Sequence, residues 1–100
     1  MSKGYWVANV DVSNPDEYKK YVAANAVPFQ KYGAKFLTRG GKSEMVEGKL
    51  RSRVVVIEFP SFEAALACYR SPEYSAAKKL REHASVADIV VLESYEGAQP

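Results

Sequence analysis

The chain has 100 residues, 47% of them hydrophobic and 26% charged, which bounds one globular domain with room for a single core. Fourteen basic side chains against twelve acidic ones leave a net charge of +2, interspersed along the sequence, far from the basic excess expected of a nucleic-acid binder. Cys68 is the only cysteine, Met1-Ser2-Lys3-Gly4 has no apolar leader, and no apolar run approaches the ~20 residues that cross a bilayer, so the expectation is a cytoplasmic protein without membrane or disulfide.

Residues 5–12 (Tyr-Trp-Val-Ala-Asn-Val-Asp-Val) are rich in aromatic and β-branched side chains and predict a first strand. Asn14 is placed to cap the following helix, Pro15 suits its first turn, and Asp16 and Glu17 favour its positive end. Tyr18, Tyr21, Val22, Asn25, Phe29 and Tyr32 then recur at helical spacing. Pro28 interrupts that stripe, crowding the carbonyl of Ala24, so a kink or break is expected near Ala26, and Gly33 ends the element.

Residues 34–39 and 43–47 read as two short extended runs around Gly40-Gly41, either one bulged strand or a hairpin, followed by a polar loop over 48–52. Residues 53–59 (Arg-Val-Val-Val-Ile-Glu-Phe) form the strongest strand signal, apolar on both faces and hence central. Ser61 caps a helix carrying Phe62, Ala65, Leu66 and Tyr69 on one face. Ser71-Pro72-Glu73 starts another, expected to run to about Ala84 with Tyr74, Ala77, Leu80 and Ala84 inward. Residues 86–95 supply the last strand, and 96–100 a frayed polar tail, the whole of 1–100 being one domain.

This order predicts an α+β fold, a ferredoxin-like βαββαβ sandwich: an antiparallel sheet with helices on one face, and first and third strands central and running parallel. Yet Val54-Val55-Val56-Ile57 and Ile89-Val90-Val91-Leu92 are apolar on both faces. The simplest cover for the second face is another copy of the chain, so a homodimer is expected.

Arg39-Gly40-Gly41, Glu47-Gly48, the run Ile57-Glu58-Phe59-Pro60-Ser61, Tyr69, Ser71-Pro72-Glu73-Tyr74 and Arg81, in that order, resemble a family of small bacterial proteins known as a domain of unknown function, number thirteen-thirty, in the dimeric α/β-barrel superfamily. The resemblance spans nearly the whole chain; Tyr69 stands where the family often carries tryptophan. It implies a ferredoxin-like protomer and two sheets facing each other as a dimeric barrel. It implies no activity, and the superfamily's monooxygenases and isomerases are an analogy of fold only.

Arg81 lies within the apolar face of the last helix. It must meet a carboxylate (Glu58 or Glu93), a carbonyl or an anionic ligand, or else bury its stem and keep its head in water. Glu58, ending the central strand, is a general base, a strand-end charge facing solvent, or the partner of Arg39, Arg53 or Arg81. Asn25 either answers the carbonyl freed by Pro28 or points into a pocket between helix and sheet. Of seven tyrosines, Tyr18, Tyr21, Tyr32, Tyr69 and Tyr74 fall on inward helix faces, either as core or as the lining of a polar-tipped cavity. His83 and Cys68 lie on helix flanks; no metal motif, nucleophile pair or phosphate loop is present, and no cofactor is expected. An RNA-recognition module shares the element order but carries stacking aromatics where this chain has Val54 to Ile57, so no nucleic-acid partner is expected. The candidate ligand-binding residues are therefore Arg81, Tyr74, Tyr69, Asn25, Glu58 and Arg39. Three classes stay open: a small-molecule-binding dimer, including a cofactor-independent enzyme for an anionic or aromatic compound; a metabolite sensor; and a purely structural interaction dimer.

Overall fold

The computed structural model describes residues 2–100. Strand β1 (Gly4–Val12) leads into α1 (Pro15–Ala24) and α2 (Ala26–Lys31). Then follow β2 (Lys35–Arg39), β3 (Arg53–Phe59), α3 (Phe62–Arg70), α4 (Pro72–Lys79) and β4 (Ser85–Glu93). The four strands form one sheet in the order β2-β3-β1-β4, every neighbouring pair antiparallel. The α+β, ferredoxin-like prediction is borne out, with one correction: β1 and β3 are central but antiparallel. The α1–α2 crossover returns β2 parallel to β1, and β3, reversed after β2, slots between them.

Each helix start has the chemistry the sequence announced. Asn14 Oδ1 accepts from the Glu17 amide at 3.2 Å, Ser61 Oγ from Ala64 at 3.0 Å, and Ser71 Oγ from Tyr74 at 3.1 Å. The expected break falls at Asn25, between α1 and α2, leaving Pro28 in the first turn of α2 where no intrahelical donor is missed. Gly4 lets β1 run beneath the start of α3: a Cβ there would collide with Ser61 O and the Phe62 backbone.

Three expectations are corrected. Residues 43–47 form no strand; the chain turns at Gly40 (φ 72°) and 41–52 is irregular. Helix α4 stops at Lys79; tightened turns from Leu80 to Ala84 follow, locked by Ser13 and Asn14 amides on the Ala84 carbonyl, and they leave Leu80 37% exposed. Cys68 is not on a flank but fully buried, its thiol 3.8 Å from the Pro28 carbonyl, and burial pushes its pKa up to about 12. His83 does lie at the surface.

The helix-covered face of the sheet contributes Trp6, Ala8, Val10, Val55, Ile57 and Phe59 to the core. Trp6 is its hub, 5.0–5.6 Å centroid to centroid from Phe29, Phe59, Tyr69 and Tyr74, with Nε1 donating to the Ala65 carbonyl at 2.8 Å. The alternate side chains of the same strands, among them Val7, Val54, Val56, Val86, Val90 and Leu92, face away from the helices. Val86, Val90 and Leu92 are 57%, 49% and 44% exposed. Among the described residues, no helix is long and apolar enough to cross a membrane.

Candidate functional site

A cleft lies between α1–α2 and the helix-covered face of the sheet. Trp6, Phe29 and Phe36 make its apolar floor, and Tyr18, Tyr21 and Asn25 line it from the helices. Arg39 and Arg53 stand at the strand side. The cleft is narrow, with a cavity volume of only about 30 Å³. It continues outward into two surface grooves. One shares Asn25, Phe36 and Arg39 with the cleft and runs between α2 and β2; the other shares Tyr18, Val22 and Arg53.

Asn25 owes its place to the helix break. Its backbone stays hydrogen-bonded to both helices, donating to the Tyr21 carbonyl at 2.8 Å and accepting from the Phe29 amide at 3.1 Å. Its side chain, 5% exposed, lines the cleft beside Tyr21. The expected role for that amide, answering the Ala24 carbonyl, is not what the structure shows. With Pro28 in the opening turn of α2, there is no interior helical bond for it to break.

Behind the cleft wall the Tyr21 and Tyr74 hydroxyls lie 2.8 Å apart, and Arg81 Nη2 donates to Tyr74 Oη at 3.2 Å. The Arg81 guanidinium also lies 5.3 Å from the Tyr21 ring centroid. Arg81 is 6% exposed, and among the described residues no carboxylate is within ion-pair distance of it, so the expected bridge to Glu58 or Glu93 is replaced by two phenols. Burial, reinforced by the facing Tyr74 phenol, pushes the Tyr21 pKa well up; burial and the neighbouring Tyr21 raise Tyr18. Burial likewise raises Tyr74 despite the opposing pull of Arg81. All three remain protonated at neutral pH and offer hydroxyl donors.

The two arginines on the strand side are held by aromatic faces rather than by acids. The Arg39 guanidinium sits 3.9 Å over the Phe36 ring, and Arg53 is 5.8 Å from the Tyr18 ring centroid. Arg53 packs across Gly40, where any Cβ would strike its guanidinium, and its Nε is buried without a hydrogen-bond partner. Among the described residues neither cation forms an ion pair.

Of the six candidate residues, the structure brings Asn25 and Arg39 together at the cleft, with Tyr74 and Arg81 forming the layer behind Tyr21. Tyr69 packs in the core against Trp6 and Tyr74, away from the cleft. Glu58 is on the opposite face of the sheet. It pairs there with Lys3 Nζ and Tyr5 Oη, both at 3.5 Å, instead of the expected Arg39, Arg53 or Arg81. Arg53 and Trp6 were missed as lining residues. Strand parity was the available signal for both, since Trp6, Val55 and Arg53 share one face.

The helix-free face holds a second, open hollow of about 510 Å³, between Val7, Asn9, Leu50 and Val90. Arg51 straps it, donating to Asp88 Oδ2 at 2.8 Å and Asp11 Oδ2 at 3.0 Å, while Asn9 Oδ1 is buried there without a partner. No group of three or more His, Cys, Asp or Glu side chains suited to a metal ion occurs among the described residues.

The sequence profile of the family described as Domain of unknown function (DUF1330) matches residues 3–95. A search of curated proteins returned no match. Among solved structures, a protein of unknown function from Rhodopseudomonas palustris superposes with a TM-score of 0.72 at 22% identity, over 96% of this chain and 85% of that one. SnoaB, a cofactor-independent oxygenase from Streptomyces nogalater, gives 0.64 at 13% identity over 97% of each chain. A dimeric ferredoxin-like protein of unknown function from Thermobifida fusca gives 0.57 at 15% identity, over 91% of this chain and 92% of that one. At these identities the likeness is one of fold.

Proposed function

The chain belongs to the DUF1330 family of domains of unknown function, and from that premise we propose that it binds a small, flat, anion-bearing molecule in the cleft between α1–α2 and the sheet. The observation that carries this reading is the pair Arg39 and Arg53. Two guanidiniums at the strand side of an aromatic cleft have rings beneath them and no acid beside them. Arg39 is exposed and Arg53 half-buried, but Arg53 Nε is buried without a partner, and an incoming carboxylate or phosphate would supply one. The apolar floor of Trp6, Phe29 and Phe36 suits a planar body, and Asn25 with the tyrosine hydroxyls provides polar contacts around it. Entry requires widening, since the cleft is narrower than the ligand; the two grooves that share Arg39 and Arg53 give the route.

The working unit in this proposal is a homodimer joined through the helix-free face. That face presents Val56, Val86, Val90 and Leu92 around the unpartnered Asn9 amide oxygen, and the Thermobifida fusca neighbour of the same fold is a dimer. A second copy supplies both apolar cover and polar partners there.

Thermal shift and calorimetry with benzoate and 1-naphthoate, against their uncharged amides, test the cleft. The carboxylates are expected to raise the melting temperature at millimolar concentration, the amides much less, and Arg53→Met to abolish the difference. Equal shifts from carboxylate and amide, or none from either, reject the proposal.

A further inference from the structure

Arg81 is the one member of the buried polar chain whose hydrogen-bonding sense is dictated by its chemistry. A guanidinium has donors and no acceptor, so its contact to Tyr74 at 3.2 Å runs from Nη2 to the phenol oxygen. Tyr74 is completely buried, and among the described residues the only other oxygen within hydrogen-bond reach of its hydroxyl is Tyr21 Oη at 2.8 Å. If Tyr21 donated to Tyr74, the Tyr74 proton would be left without an acceptor in the core, the arrangement that buried polar groups avoid. Tyr74 therefore donates to Tyr21, and Tyr21 keeps its own proton for something else. Tyr21 is also the member of the chain that lines the cleft, with the Asn25 amide beside it.

We infer that Tyr21 is a fixed hydrogen-bond donor into the cleft, held in that sense by Arg81 through Tyr74, and that the ligand carries a carbonyl-type acceptor oxygen in addition to the anionic group met by Arg39 and Arg53. This rests on the cleft being the ligand site. Tyr21 is then a specificity-determining residue that touches the ligand, while Tyr74 and Arg81 are positioning residues. The arrangement also explains a buried arginine that neutralises no acid. A carboxylate in place of the phenols would accept from Arg81 and end the chain, whereas a phenol accepts and passes a donor on. Three hydroxyl and guanidinium groups in series thus present a donor at the cleft whose direction does not depend on the ligand being there.

The probes are 4-acetylbenzoate and 4-isopropylbenzoate, which share shape and anion and differ in the carbonyl acceptor. The parent protein is expected to bind the acetyl compound about tenfold more tightly, the scale of one well-made hydrogen bond. Tyr21→Phe should bring the ratio to about one while retaining the weaker affinity. Arg81→Met should lower the ratio, and Arg81→Lys, which restores a donor without an acceptor, should recover part of it. Equal binding of both probes by the parent, or an undiminished ratio in Tyr21→Phe, overturns the inference and leaves the cleft proposal standing. If neither probe binds, the cleft proposal fails, and the donor chain is decided without ligand by NMR of ¹³Cζ-tyrosine protein in mixed H₂O and D₂O. A slowly exchanging hydroxyl splits the Cζ resonance of the tyrosine that owns it. Splitting at Tyr74 supports the chain as drawn, and splitting at Tyr21 with none at Tyr74 overturns it.

Discussion

The two faces of the sheet are built from the same strands and nearly the same residue types, yet they end in different states. On the helix side, Trp6, Ala8, Val10, Val55, Ile57 and Phe59 are all buried, and behind them Tyr21, Tyr74 and Arg81 are tied into one polar chain, with Arg53 Nε left unpartnered at the cleft. On the other side, Val86, Val90 and Leu92 stay half exposed and Asn9 Oδ1 goes unanswered. The strap of Arg51 to Asp11 and Asp88 covers only one end of that face. The difference teaches that the chain completes one core and leaves the other face half covered, with the proposed binding cleft on the first and the proposed dimer contact on the second.

The largest effect should come from the completed core. Trp6→Ala removes the hub of four aromatic contacts and the Nε1 hydrogen bond to the Ala65 carbonyl, and is expected to cost about 3–5 kcal/mol in chemical denaturation. Next comes the other face. Val90→Lys places a charge in the middle of an interface that, at standard size, buries on the order of 1,600 Å². Light scattering at micromolar concentration should find the parent dimeric and Val90→Lys monomeric, with the protomer still folded; a parent that is monomeric there breaks the contrast between the faces.

A smaller effect separates two kinds of buried arginine. Were Arg81 paired with an acid, its loss would strand a charge, at about 3–5 kcal/mol. With phenol partners only, Arg81→Met leaves a neutral oxygen short of one donor, so the expected cost is about 1–3 kcal/mol by the same denaturation assay. The smallest effect belongs to the exposed strap. The Ser52 amide, followed by Arg51, holds the Asp11 carboxyl below its usual 3.8. A lowered folded-state value means that its stabilisation is present above the unfolded pKa and is lost as pH falls through the folded one. Amide exchange in 49–52 is therefore expected to quicken only in acid below that range, and Asp11→Asn should remove the dependence.

Much of the fold was legible in the chain because local chemistry agreed with it. Asn14, Ser61 and Ser71 announced helix starts that their side chains do cap, and residues 53–59 announced a strand that appears with those bounds. The two apolar faces of β3 and β4 also announced a helix-free surface wanting cover. Those features depend on near neighbours in sequence and on the two-residue period of a strand, which any reader of the chain can count. Strand parity would have placed Arg53 on the face of Trp6 and Val55, but its contacts with Gly40 and Tyr18 join residues far apart in sequence.

What tertiary structure alone decided is which polar group meets which. The sequence offered Glu58 and Glu93 as partners for Arg81, since a charge calls for its opposite. The pleat instead sends Glu58 to Lys3 on the far face, and the turns after Lys79 bring Arg81 inward onto Tyr74. Residues 43–47 had strand composition, yet after the turn at Gly40 the chain leaves the sheet and that segment pairs with no strand. In each case composition determined what a segment needs, and only the packed chain determined whether a partner stands within the few ångströms over which hydrogen bonds and ion pairs act.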